Sequence, residues 1–159
     1  MTARIEMAMG GEIATATRAD LESLLPALRQ ADIDEIRAAS GLTPEAALQR
    51  SFALSTHVWA ARADRAAVIA LWGVGPLSLS AGKGCPWLLA SAHFDHCTRQ
   101  IVRLSRPMLA RMRAAYPHLE NHVDARNRRA VRWLDWLGFS IEPPAPWGVE
   151  GRLFHRFWM

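Results

Sequence analysis

The chain is 159 residues long and half of them are apolar, enough for one domain with its own core. No run of about 18 apolar residues occurs, which argues against a membrane-spanning helix, and the opening stretch MTARIEMAMGGE carries acidic residues without a long apolar run, unlike a signal peptide. Net charge is +4, and Cys85 and Cys97 form neither a disulfide framework nor a zinc spacing, so a reducing compartment and no metal are expected.

The β-branched stretch Ile13 to Thr17 predicts a first strand after Gly10-Gly11. Thr17 or Asp20 can cap a helix with Leu21, Leu24, Leu25 and Leu28 on one face, and Pro26 falls early in that run, where a missing amide costs less. Asp32-Ile-Asp-Glu35 has capping-box spacing and predicts a short helix to Ser40, ended by Gly41. Thr43-Pro44-Glu45 starts another helix, through Leu48 and Phe52. Thr56 to Arg62 alternates as a strand, with Asp64-Arg65 as a hairpin turn. Ala67 to Val74 is almost wholly apolar, as expected of a central strand covered on both faces. Pro76 to Gly84 reads as a loop and Pro86 to Ala92 as the next strand.

From Arg99 to Tyr116 the residues Ile101, Leu104, Met108, Leu109 and Met112 recur at helical spacing, with Pro107 expected to kink or divide the helix. Leu119 to Val123 predicts a strand. Asn127 caps a helix to Leu137, Gly138 stops it, and Phe139 to Ile141 is a further strand. Pro143 to Pro146 forms a rigid connection, and Arg152 to Trp158 alternates as a final strand. Nine of the Arg residues fall between Arg99 and Arg132, a surface suited to phosphates, to an acidic partner, or to plain solvation. No helix-turn-helix, zinc or stacking motif accompanies it, so nucleic acid is not the expected partner.

The spacing Asn127, Ala130, Gly138, Phe139 resembles the C-terminal motif of GNAT-fold N-acetyltransferases, and Tyr-Pro-x-Leu-x-Asn-x-Val-Asp-Ala-Arg-Asn (Tyr116 to Asn127) resembles a narrower group, podophage proteins of the internal virion protein A type. The resemblance covers nearly the whole chain. It implies a single α/β domain over residues 1–159, with a mixed, mostly antiparallel sheet flanked by helices in the order β-α-α-β-β-β-α-β-α-β-β. It also implies transfer of an acetyl group from acetyl-CoA to an amine, or else a non-catalytic virion or morphogenesis role through a phage or host protein, in the host cytoplasm or with the virion.

By that resemblance the strand at Leu88, Leu89 and Ala90 would pair with the pantetheine arm. Thr98, Arg99 and Arg103 would stand near the pyrophosphate, and Asn127 would open the motif helix. The sequence departs from the family at two places. The phosphate loop, Ala92 to Gln100, has no glycine and carries Asp95, and the position of the general-acid Tyr is Leu134. Glu120, His122 and Asp124 alternate on one face of a strand and are the candidate bases, with His93 and His96 as outliers. Asp124 with Arg126 reads first as a brace for the turn before the helix. Trp59, Trp72, Trp87, Trp133 and Trp136 read mostly as core, whereas Trp147 and Trp158 read as partner contacts.

Overall fold

A computed structural model describes residues 5–7, 11–63 and 67–159. The expected Asp64-Arg65 turn lies outside them. The strands are β1 (Ile5–Glu6), β2 (Glu12–Thr15), β3 (His57–Arg62), β4 (Val68–Ser78), β5 (Lys83–Ala90), β6 (His118–Asp124), β7 (Ser140–Ile141), β8 (Ala145–Trp147) and β9 (Arg152–Trp158). The helices are α1 (Arg18–Leu24), α2 (Gln30–Ser40), α3 (Pro44–Leu54), α4 (Thr98–Ala115) and α5 (Arg128–Leu137). The strands form one sheet in the order β1-β2-β3-β4-β5-β6-β9-β7, with β8 on β9. The β5–β6 pair is parallel and the other pairs are antiparallel.

Two apolar layers sandwich this sheet. On one face α4 and α5 cover Trp59, Ala61, Ala70, Trp72, Leu119 and Val123. On the other, α1 and α3 cover Val58, Ala60, Val68 and Leu71. Burial on both sides explains why β4 reads as a continuous apolar run.

The local signals resolve as follows. Thr17 is the cap of α1, in a reciprocal box with Asp20. Asp20 also accepts from Arg62 Nε and Nη2, each at 2.6 Å, and so ties the helix start to β3. Pro26 sits in a 3₁₀ turn, Leu25–Ala27, and α1 ends before it. The expected capping box at Asp32 does not form. The helix already begins at Gln30 without a side-chain cap, and Asp32 turns inward to Arg29 and Ala90. Three helices lie between β2 and β3, as the segment-by-segment reading expects and one more than the order implied by the resemblance. Pro107 neither divides nor ends α4, which runs unbroken to Ala115. Part of the expected Pro-rich connection pairs with β9 as β8.

Gly84 is required by packing. A Cβ there would lie 2.6 Å from Tyr116 Cγ, and the ring of Tyr116 is buried at that point with its hydroxyl bonded to Thr56 Oγ1 at 2.6 Å. This contact stands where β5 and β6 begin to pair.

Candidate active site

The parallel pair β5–β6 parts almost as soon as it forms. Pairing is confined to Lys83 with His118 and Gly84 with Leu119. Two residues further on, Pro86 has no N–H to offer a neighbour. Asn121 Nδ2 donates to the Pro86 carbonyl at 2.7 Å, so a side chain spans the gap that backbone bonds would have closed. A cavity of about 800 Å³ opens at this divergence and reaches both faces of the sheet.

The backbone of β5 alternates across the opening. Pro86 and Ala90 both turn their polar groups away from β4. The Ala90 N–H donates to Asp32 Oδ2 at 2.8 Å, and the Ala90 carbonyl accepts from the Arg29 N–H at 2.9 Å. Leu88 lies between them on the same alternation, so its N–H and C=O face the cavity. Leu89, paired with Leu71, turns its backbone to β4. Of the three residues expected along a pantetheine arm, Leu88 thus has its backbone directed at the opening, Ala90 is engaged by Arg29 and Asp32, and Leu89 faces the sheet.

The stretch from Ala92 to Thr98, where the resemblance implies a phosphate loop, carries no glycine. Residues Ala92–His96 form a 3₁₀ turn that buries Phe94, and the Arg29 guanidinium lies 4.8 Å from that ring. Thr98 is the first residue of α4 rather than its cap. Its hydroxyl donates to the Asp95 carbonyl and accepts from Arg129 Nη2 at 2.5 Å. Arg129 Nη1 meets Asp95 Oδ1 at 2.6 Å. The start of α4 has no side-chain cap, so its leading amides keep the anion-attracting character of a helix N-terminus. Arg99 and Arg103 are exposed on the same helix, and His93 and His96 are exposed in the turn before it. The cleft thus fits an extended pantetheine-like arm at Leu88 and Asn121, with Thr98 and Arg129 as the groups that could hold phosphate.

On the opposite face, the alternation of β6 does bring Glu120, His122 and Asp124 to one side. Their environments differ. Glu120 pairs with Arg156 at 2.8 Å and Lys83 at 3.5 Å, and these cations, Arg156 first, hold its carboxyl below the usual range. Asp124 is buried and bound by the Arg126 backbone and guanidinium. That is the turn-bracing role the sequence also allowed. His122 stacks on Trp147, with ring centroids 4.1 Å apart and 7° between planes, and burial pushes its imidazole below the ordinary value. Trp147 in turn packs on Phe154 and remains 38% exposed at the rim of the cleft. Leu134 is buried in the core, and Tyr116 is committed to Thr56. Neither supplies an acid to the opening.

The residue that sequence reasoning passed over is Glu35. It was counted in a capping box, yet α2 turns it inward to accept from the Asp124 N–H at 3.2 Å, with the Asn127 amide close by. Burial, with the Asp32 and Asp124 carboxylates adding repulsion, pushes its carboxyl up to about 7. The available signal was spacing. Asp32, Glu35, Ile36 and Ala39 share one helix face, and acids on the inward face of a helix that also carries apolar residues call for a reason. Asn127 connects this acid to α5, because its side chain also caps that helix at the Ala130 N–H, at 3.2 Å.

A mostly antiparallel sheet split at one parallel pair, helices on both faces and a cleft through the split define the fold of the GCN5-related N-acetyltransferases. No family model and no curated sequence matches the chain. Solved structures share its fold at low identity. A ribosomal-protein-S5-alanine acetyltransferase from Vibrio fischeri superposes with a TM-score of 0.70 at 12% identity, over 99% of this chain and 96% of that one. A spermidine N-acetyltransferase chimera from Vibrio cholerae gives 0.69 at 13% over 94% of each chain, and a GCN5-related N-acetyltransferase from Kribbella flavida gives 0.66 at 15%, over 94% and 96%.

Proposed function

We propose that this chain is an acyl-CoA-dependent N-acyltransferase and that Glu35 is its general base. The observation that carries the reading is a carboxyl group with its pKa moved to about 7, set in the wall of the cleft that splits the sheet. A base so tuned is half ionised at neutral pH, where it can both take and release a proton. The acceptor amine enters between α2 and the Trp147 rim. Glu35 takes a proton from the amine as the amine nitrogen bonds to the thioester carbonyl carbon; the C–S bond then breaks, and the thiolate leaves with the proton that Glu35 returns, while His122 lines the same cleft. Leu88 directs an N–H into the opening, where it can hold the acyl carbonyl oxygen as charge develops there. Coenzyme A supplies the activated thioester, and Thr98 and Arg129 are the residues to hold its phosphates. The neighbours in fold are named as acetyltransferases, which supports this chemistry. The Tyr116 to Asn127 pattern supports a phage source.

One observation favours a second reading. Asp95 occupies Arg129 at the place where phosphate would sit. A non-catalytic virion protein that kept the fold and works through a phage or host partner would tolerate that. Thermal denaturation with and without acetyl-CoA separates the two. At about 100 times its dissociation constant the cofactor should add roughly 2.7 kcal/mol to stability. No shift at millimolar acetyl-CoA would end the enzymatic reading and leave the partner-binding one.

A further inference from the structure

The outward faces of α4 and α5 make one basic surface. The two helices run side by side in the same direction. Arg129 Nη2 donates to Thr98 Oγ1, Trp133 Nε1 donates to Ser105 Oγ at 3.2 Å, and the Arg106 guanidinium lies 4.5 Å from the centre of the Trp136 ring. Helix α4 buries Ser105, Met108 and Met112 and has no acidic residue along its length. At about 100° per residue, Arg99, Arg103, Arg106 and Arg113 fall together on the side opposite those three. On α5 the buried residue is Leu134, and Arg128, Arg132 and Trp136 stand on the exposed side. These six arginines are exposed, and none of them is in an ion pair among the described residues. The arginines that carboxylates do neutralise here are their neighbours, Arg126 on Asp124 and Arg129 on Asp95.

A second, independent feature lies in the same surface. Trp136 reads from the sequence mostly as core, yet the structure leaves it 44% exposed beside Arg106. An exposed indole flanked by guanidiniums is a platform on which an unpaired base stacks. The sequence has no stacking motif because this one is assembled from two helices, thirty residues apart from Arg106 to Trp136. From Arg99 to Arg113 the stripe is about 21 Å long, the length of about six nucleotides of one strand at about 3.4 Å each. Guanidinium forks match phosphate oxygens in pairs. An acidic peptide would also meet the arginines, but it makes no use of the indole. A duplex hides the base faces that the indole would stack on.

We propose that the α4–α5 face binds single-stranded nucleic acid. The six free arginines hold successive phosphates and Trp136 stacks a base. The surface is outside the cleft, on the side of α4 and α5 turned away from the sheet, and the inference does not depend on the acyltransferase reading.

The test is fluorescence anisotropy of a labelled single-stranded 20-mer of deoxythymidine with the intact chain. With about five phosphates neutralised, affinity should fall about 100-fold between 50 and 200 mM NaCl. Arg106→Glu combined with Arg132→Glu should weaken binding about 100-fold at 100 mM NaCl. Arg18→Glu combined with Arg37→Glu changes net charge equally at a distance from this face, and should stay within about 5-fold of the native chain. Trp136→Ala should cost about 10-fold on the single strand and leave binding of a duplex of the same length within about 2-fold. If the charge-reversed pair does not fold, Arg106→Gln with Arg132→Gln tests the same face, with about 10-fold expected. No binding at 50 mM NaCl, or equal losses in the two charge-matched double variants, overturns the proposal. So does a Trp136→Ala chain that binds the single strand as the native one does. Equal affinity for a 20-residue polyglutamate also overturns it and assigns the face to an acidic protein. Acetyl-CoA melts of the native chain report on the cleft alone, so failure of the acyltransferase reading leaves these results unchanged.

Discussion

Replacing Glu35 by Gln separates a catalytic carboxyl from a merely structural one, because the two roles move stability and rate in different directions. The folded pKa of about 7, against an ordinary value of 4.5, means that the folded protein holds this proton more tightly than the unfolded chain does. A raised carboxyl therefore favours the fold below about pH 4.5. That favour is lost as pH rises through the window up to about 7, and at pH 8 the ionised group costs its full penalty. At 1.36 kcal/mol per pKa unit the penalty is about 3 kcal/mol as an upper bound. Gln keeps the acceptor for the Asp124 N–H but carries no charge. Glu35→Gln should thus be more stable than the native chain at pH 8, by at most roughly 6 to 12 °C in Tm at 2–4 °C per kcal/mol, and nearly equal to it at pH 5. The same variant should lose about 10²- to 10⁴-fold in acyl transfer to an amine, together with the limb of the kcat/KM profile near pH 7. Paired melts at the two pH values and a rate profile are the assay. A variant that is less stable at pH 8, or one that keeps the native rate and pH limb, would refute the reasoning.

Other substitutions probe the frame around the site. Asp20→Asn should cost about 3 kcal/mol by leaving Glu12 as the one carboxylate on the Arg62 guanidinium, beside the Thr15 carbonyl. The Asp20 carboxyl sits below its usual 3.8, with Arg62 and the Thr17 N–H and hydroxyl outweighing burial. Its contribution is therefore complete above that value and lost as pH falls through the folded one, so urea melts of the two proteins should converge in acid. Gly84→Ala drives a methyl to 2.6 Å from Tyr116 Cγ and should cost about 1–3 kcal/mol, with loss of the Tyr116–Thr56 hydrogen bond. Trp147→Ala removes the stack on His122. It should raise KM for the amine, cost about 1 kcal/mol in stability, and let the imidazole titrate closer to its ordinary value, which proton NMR would follow.

Much of the fold could be read along the chain. Asn127 and Gly138 bound α5 as capping chemistry requires, the first by accepting from Ala130 N–H and the second with φ at +96°. The apolar run of β4 announced a strand buried on both faces. The errors fell where a polar side chain had two uses. Asp32 and Glu35 have the spacing of a helix start. Both instead serve the interior, because α2 lies against the end of β5 and the start of the α5 turn. Trp147 is exposed as its place in the Pro-rich stretch suggested, and β8 in addition stacks its inner face on His122.

By itself, the sequence determined which segments pair and which coil, because periodicity, caps and breakers act within a few residues of one another. It also determined that the stretch Ala92 to Gln100 carries no glycine and that an apolar Leu stands at position 134. Only the tertiary structure decided that β5 and β6 part after two pairs, that three alanines from three strands align beneath α4, and that a carboxyl from α2 meets the amide of Asp124 on β6. These features join residues up to 89 positions apart. Register, desolvation and the neighbourhood of other charges set them, and none of these is a property of any one stretch of chain.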